Sequence, residues 1–208
     1  MATSRLIAVI LVCTLPAHPG AEAQTFQVDL SRENRVTFLS NAPLEDFRGV
    51  TDRVDGFVYL DGEGLQGDTD LDASRFHFEV DLASLDTGIG LRNRHMRDRF
   101  LETDRFPFAT FTGRVLSLES VAGGGFRATA AGDLSIHGVT RRREIECGID
   151  QEGGSPARPA RDLRVRCSFT VPLGDHDIPI PRLLFMRISE DVELELDFHL
   201  TLAGGREG

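Results

Sequence analysis

Three short stretches hold the residue types that do chemistry. In DTDLDASRFHFE, Asp68, Asp70, Asp72 and Glu79 fall at positions 1, 3, 5 and 12 of a calcium-binding EF-hand loop, where oxygen ligands wrap one hard cation. Position 6 is Ala73 instead of the glycine that the sharp turn requires, and Glu79 lies in a strand-like pattern. An acidic hairpin turn is therefore expected, without metal. In DHD, Asp175, His176 and Asp177 are metal-ligand types, but three consecutive residues converge on one ion only with help from other segments, so an exposed loop is expected. In DTGIGLRNRHMRDRF, Arg92, Arg94, His95, Arg97 and Arg99 crowd together in an acidic chain. Arginines beside a neutral histidine can hold a phosphate. A solvated helix surface is the plainer reading of the same residues. As general bases, His95 and His137 would each need a nucleophile and an orienting acid within hydrogen-bond reach, which spacing alone does not place.

Composition narrows the chemistry further. All 23 basic residues are arginine, which removes amine nucleophiles and Schiff-base catalysis. A net charge of −10 makes the whole chain a poor partner for nucleic acid or an anionic membrane surface. The amino terminus reads as an export signal: Arg5 is a charged start, Leu6 to Leu15 an apolar run, Pro16 a break, and Ala21-Glu22-Ala23 a cleavage site. As a helix that run spans about 15 Å, too short for the ~30 Å hydrocarbon core. Val12 before Cys13 is not the small residue that lipoprotein processing needs. The expected mature chain, residues 24–208, is exported to the periplasm or secreted and is long enough for one domain with a substantial core.

The elements that must position these residues are strands. In RFHFEVDL, Phe76, Phe78, Val80 and Leu82 share one face, and Arg75, His77, Glu79 and Asp81 the other. LRVRCSFTV and VELELDFHLTL alternate in the same way, which predicts antiparallel strands with one wet side. Further strands are predicted at Phe26–Leu30, Arg35–Ser40, Val54–Leu60, Phe108–Leu118, Phe126–Ile136, Glu144–Ile149 and Leu183–Ile188, separated by glycine- and proline-rich turns. The fold class is all-β: a single sandwich or closed barrel. The interior face should carry Phe38, Phe57, Phe76, Phe78, Phe111, Leu134, Ile136, Phe169, Leu196 and Phe198, either lining a cavity or filling it.

Cys147 and Cys167 test the register. Placed opposite each other, they set Ile145 against Phe169 and Ile149 against Val165, so every inward residue meets an inward residue. In an oxidising compartment the pair forms a disulfide worth roughly 3 kcal/mol; two buried thiols are the alternative. The same register puts Arg141 to Arg143 at a solvated rim. The arginine-rich stretch is predicted to form a short helix across the barrel, with Leu91, Met96 and Phe100 inward and the arginines outward.

VDLASLDTGIGLRNRHMRDRFLETDRFPFATFTG and GDLSIHGVTRRREIEC together resemble the signature of the YceI-like family of bacterial periplasmic proteins. Two features depart from the family pattern: ENRVTFLSNAPLEDFRGVTDRVDGFVYL lacks its usual histidine segment, and VPLGDHDIPIPRLLFMRISEDVEL replaces its usual C-terminal motif. The resemblance implies a lipocalin-like barrel of about eight strands with one crossover helix. It also implies an apolar tunnel that takes an isoprenoid lipid, a polyprenyl chain or an isoprenoid quinone, with no cofactor. Arg94, His95 and Arg97 are then the head-group candidates, and the inward phenylalanines grip the tail. A homodimer is compatible with this reading. Two rivals stand beside this non-catalytic carrier: an interaction module whose barrel is filled by its own core, and a small hydrolase or isomerase using histidine and aspartate at the barrel mouth.

Overall fold

The computed structural model describes residues 23–40, 47–62, 65, 69–122, 124–153, 160–180, 182–183, 186–187 and 189–204. The expected export signal and Asp68 lie outside them. Twelve strands follow in order: β1 (Gln24–Val28), β2 (Arg35–Ser40), β3 (Phe47–Thr51), β4 (Val54–Asp61), β5 (Asp70–Asp81), β6 (Phe108–Ser120), β7 (Phe126–Ile136), β8 (Val139–Glu152), β9 (Asp162–Pro172), β10 (Arg182–Leu183), β11 (Met186–Arg187) and β12 (Asp191–Leu202). Between β5 and β6 lies helix α1 (Gly90–His95), whose next turn, Met96–Phe100, widens to π-helical spacing.

All pairings are antiparallel. The order β1-β4-β5-β6-β7-β8-β9-β12 closes on itself because β12 also pairs with β1, Phe26 opposite Leu202 and Val28 opposite Leu200. The result is a closed eight-stranded barrel, lipocalin-like, with a single crossover helix. Strands β2 and β3 continue the wall beyond β1 and β4, β2 pairing with β12 from Arg35↔Asp197 to Glu193↔Leu39. Asn34, 3% exposed, bridges the break between β1 and β2: its amide nitrogen donates to the Asp29 carbonyl and its amide oxygen accepts from the His199 N–H, both at 2.9 Å. Backbone groups that lose a ladder partner at the break are thereby satisfied.

Local chemistry moves some predicted ends. The first strand stops at Val28 because the Asp29 carboxylate accepts from the Ser31 N–H at 3.0 Å and hydroxyl at 2.6 Å, turning the chain and leaving Leu30 68% exposed. The predicted strand Leu183–Ile188 is not a barrel strand. Its described residues fall in β10 and β11, which pair only with each other, Leu183 opposite Met186. Strand β3 is an addition, its apolar alternation being too short to read.

One end of the barrel is a continuous apolar core of Phe26, Val28, Val36, Val54, Leu60, Leu163, Val165, Phe198 and Leu200. Cys147 and Cys167 sit directly opposite each other and are joined by a disulfide, with Ile149 opposite Val165 as predicted. The predicted Ile145–Phe169 pair does not form within a ladder: β8 and β9 part after the disulfide. The turn Leu173–His176 packs against β8 instead, and Arg143 pairs with Asp175 at 2.6 Å.

Candidate functional site

The barrel encloses a cavity of about 780 Å³. Its wall includes Phe38, Phe76, Phe78, Phe111, Leu134, Ile136, Phe169, Leu196 and Phe198, as the alternation predicts, together with the disulfide. The rings pack on one another instead of filling the space: Phe76 and Phe111 have centroids 4.8 Å apart, Phe78 and Phe198 5.1 Å. Phe57 is the exception and corrects the prediction. It is 37% exposed, on the outer face opposite His77, with ring centroids 6.5 Å apart. The inward residues of β4 are Val54, Val58 and Leu60, with Gly56 between them. A Cβ on Gly56 would lie 2.6 Å from the Phe78 ring, and its φ of +145° is one that side-chain-bearing residues rarely adopt. The glycine thus makes room for Phe78.

Only five polar side chains, Ser40, Thr110, Arg92, His95 and Arg99, join the described lining besides the disulfide. Ser40 is 1% exposed and its hydroxyl has no hydrogen-bond partner among the described residues, so it stands as a polar group in an apolar wall. The other three charged or titratable groups stand on α1 and its π-helical extension. Arg92, Met96 and Arg99 follow i, i+4, i+7 spacing, so they share the inward face with the predicted Leu91, Met96 and Phe100. The predicted head-group candidates divide by their place at the cavity wall. His95 faces the cavity, Arg94 and Arg97 do not, and Arg92 and Arg99 do. The seven-residue spacing of those two arginines was the signal available in the sequence.

A rigid turn holds this helix. The Asp86 carboxylate accepts from the Asn93 amide at 2.6 Å and the Gly88 N–H at 2.8 Å, and these bonds hold its pKa below the ordinary carboxylate value. Asn93 in turn accepts from the Thr87 N–H and hydroxyl, and Arg92 donates to the Thr87 hydroxyl and carbonyl at 2.9 and 2.8 Å. Arg92 is thus tied to the turn. His95 and Arg99 have no hydrogen-bond or ion-pair partner among the described residues. The lining residues that are themselves exposed are Ile89, Leu91, Arg99 and Pro179, so the cavity reaches solvent beside the helix.

The remaining chemical candidates serve structure. His176 is fully buried, not exposed: its Nδ1 donates to the Val139 carbonyl at 2.9 Å, and its own carbonyl accepts from His137 Nδ1 at 3.2 Å. These bonds clasp the segment after β9 onto the β7–β8 hairpin. That hairpin turns on His137 and Gly138, both at positive φ, and Phe106 packs over the glycine and against the His137 ring at 4.8 Å. His137 does not line the cavity. Asp70 and Asp72, read from the sequence as part of an acidic turn, lie instead at the start of β5, where Asp72 pairs with Arg114 at 2.5 Å and Asp70 accepts from the Asp72 N–H at 2.9 Å. Among the described residues no group of three or more His, Cys, Asp or Glu could hold a metal ion, and no helix is long and apolar enough to cross a membrane.

An antiparallel eight-stranded barrel around an apolar cavity, with one helix beside its opening, defines a lipocalin-like binding protein. A YceI-like domain model matches residues 26–200, and the chain belongs to that family. A UPF0312 protein of Vibrio parahaemolyticus is 32% identical over 129 residues, covering 59% of this chain and 60% of the relative. Protein YceI of Shigella flexneri is 32% identical over 85 residues, 40% of this chain and 42% of the relative. The chain thus spans less than two thirds of the length of either. Among solved structures, BcnA of Burkholderia cenocepacia superposes with a TM-score of 0.61 at 18% identity, covering 85% of this chain and 99% of that one. A polyisoprenoid binding domain from Saccharophagus degradans, implicated in plant cell wall breakdown, gives 0.62 at 16% identity, covering 86% and 99%. At such identities the likeness shows the fold.

Proposed function

We propose that this protein is an exported carrier or sequestering protein, without catalysis, for a long apolar lipid of isoprenoid type. The observation that carries the reading is the cavity itself: about 780 Å³ of space, open beside the helix, with an almost wholly apolar wall. That size suits a small-molecule pocket, typically about 300–1,000 Å³. Each buried methylene contributes about 0.8 kcal/mol against an association cost of about 4–15 kcal/mol. A chain of about twenty carbons therefore binds tightly with few polar contacts. The hollow interior favours a carrier over an interaction module, whose barrel would be filled by its own core. The polyisoprenoid binding of the Saccharophagus degradans domain, which shares the fold, supports the same cargo class.

The polar end of the cargo, a phosphate or a quinone oxygen, sits at the helix. Arg99 and His95 meet it there, and the Ser40 hydroxyl offers a further hydrogen bond inside the cavity. Export follows from the amino-terminal signal, with the mature chain starting at Gln24 and working in the periplasm or outside the cell.

The test is to purify the protein from its native host under mild conditions, extract it with organic solvent and analyse the extract by mass spectrometry. A stoichiometric polyprenyl or quinone species is expected. A clean extract, together with no binding of added isoprenoids on titration, would overturn the carrier reading. Amino-terminal sequencing of the same sample should begin at Gln24; an intact Met1 would refute export by cleavage.

A further inference from the structure

The helix carries more than a cavity wall requires. Ile89 is 50% exposed and Leu91 59%, yet both line the cavity, so its apolar surface continues onto the outside of the molecule. Around them the stretch Gly90–Phe100 holds four arginines, Arg92, Arg94, Arg97 and Arg99, against one carboxylate, Asp98. Nearby acidic groups are already engaged, Asp86 with Asn93 and Gly88 and Glu102 with Arg105, while Asp104 stays exposed. Arg94 and Arg97 neither line the cavity nor have a side-chain partner among the described residues.

We infer that this face docks onto an anionic phospholipid bilayer, so that cargo passes between membrane and cavity without crossing water. The purpose assigned to the docking rests on the carrier reading; the docking itself is measurable without cargo. Exposed isoleucine and leucine insert at the boundary of head groups and acyl chains. Guanidinium groups on long apolar stems reach the lipid phosphates. The net charge of −10 does not oppose this. At physiological ionic strength a charge acts over about 8 Å, so a surface meeting the helix feels the local arginines and not the far wall. Cargo chemistry favours a bilayer over a protein partner. Each methylene brought into water is disfavoured roughly fourfold, a barrier that grows with every carbon and vanishes when the opening abuts the lipid.

The test is flotation of the purified protein with vesicles of phosphatidylcholine alone and of equal parts phosphatidylcholine and phosphatidylglycerol. Flotation is expected with the anionic vesicles only, weakening as salt is added. Replacing the exposed Arg94 and the half-buried Arg97, Arg94→Gln with Arg97→Gln, should lower the partition on the order of tenfold or more. Arg127→Gln, at the opposite end of β7, should leave it unchanged. Isoprenoid titration of the double variant should match the parent, which separates the two proposals. No flotation with anionic vesicles, equal flotation with neutral ones, or undiminished flotation of the double variant overturns the docking and leaves the carrier reading standing. Flotation by a protein that takes up no isoprenoid overturns the carrier reading alone.

Discussion

The two ends of the barrel are built from the same alternating strands and differ in how those strands finish. At the β1 end, buried apolar side chains from five strands meet in one core, and Asn34 takes over where the ladder breaks. At the helix end, β8 and β9 part beyond the disulfide and smaller apolar clusters gather under α1. There the wall ends in exposed Ile89 and Leu91 and in His95 and Arg99, which have no partners among the described residues. The β1 end holds the fold even though seven of its nine core residues also form cavity wall, and the helix end adds the polar side chains that have no partner among the described residues. Stability and binding should therefore respond to different substitutions.

The largest expected effect is at the packed end. Phe26, 2% exposed, lies in the core, and Phe26→Ala should cost about 3–5 kcal/mol in denaturant unfolding. Leu91→Ser at the opening should cost under about 0.5 kcal/mol, as an exposed site does. Equal losses would erase the distinction between the ends. Next comes the disulfide between them: Cys147→Ser with Cys167→Ser should lose about 3 kcal/mol, read as a lower denaturation midpoint in the absence of reductant. A midpoint matching that of the parent would mean the bond does not constrain the unfolded chain.

Blocking the cavity should separate binding from folding. Ala130 lines the wall, and Ala130→Phe should weaken isoprenoid binding about tenfold or more, with stability changed by less than the roughly 1–3 kcal/mol of overpacking a solid core. Unchanged affinity would place the cargo elsewhere. At the opening, Arg99→Gln should weaken a phosphate-bearing cargo roughly two- to fivefold at low salt and leave a neutral one alone.

The smallest effect lies on the outer wall, between Arg164 and Asp197. They form two hydrogen bonds of 2.7 and 2.6 Å, which hold the Asp197 pKa below its ordinary value and raise that of Arg164. A depressed carboxylate pKa gives stability that is complete above the ordinary carboxylate range and is lost as pH falls through that range toward the depressed value. The side chain is 38% exposed, so solvent screening limits the contribution to about 0.5 kcal/mol. Asp197→Asn should lose that amount near neutral pH and nothing once pH has fallen below the depressed Asp197 value. A loss that persists in acid would mean the residue acts by packing.

Period-two patterning made the barrel legible because each inward side chain must leave water and its neighbours must not. The cysteine register was legible for the same reason: slipping by one residue would have buried Glu146 or Arg166. Phe57 misled because apolarity alone does not give phase. It reads as inward until Gly56 is seen to be the gap that Phe78 fills. The helix misled in the opposite direction, since arginines read as outward on charge alone while the spacing of Arg92 and Arg99 puts them on the face of Met96. His176 sits among aspartates in the sequence, and only the fold of the segment after β9 onto the β7–β8 hairpin buries it.

By itself the sequence determined the fold class, the pairing of Cys147 with Cys167 and most of the apolar wall, because burial and alternation are local demands that every strand must satisfy. Only the tertiary structure decided whether those phenylalanines enclose space or fill it, which arginines meet that space, and where it opens. Those outcomes depend on how far apart strands lie across the barrel and where β8 leaves β9. Distances of that kind arise from closing the whole sheet, and no single strand encodes them.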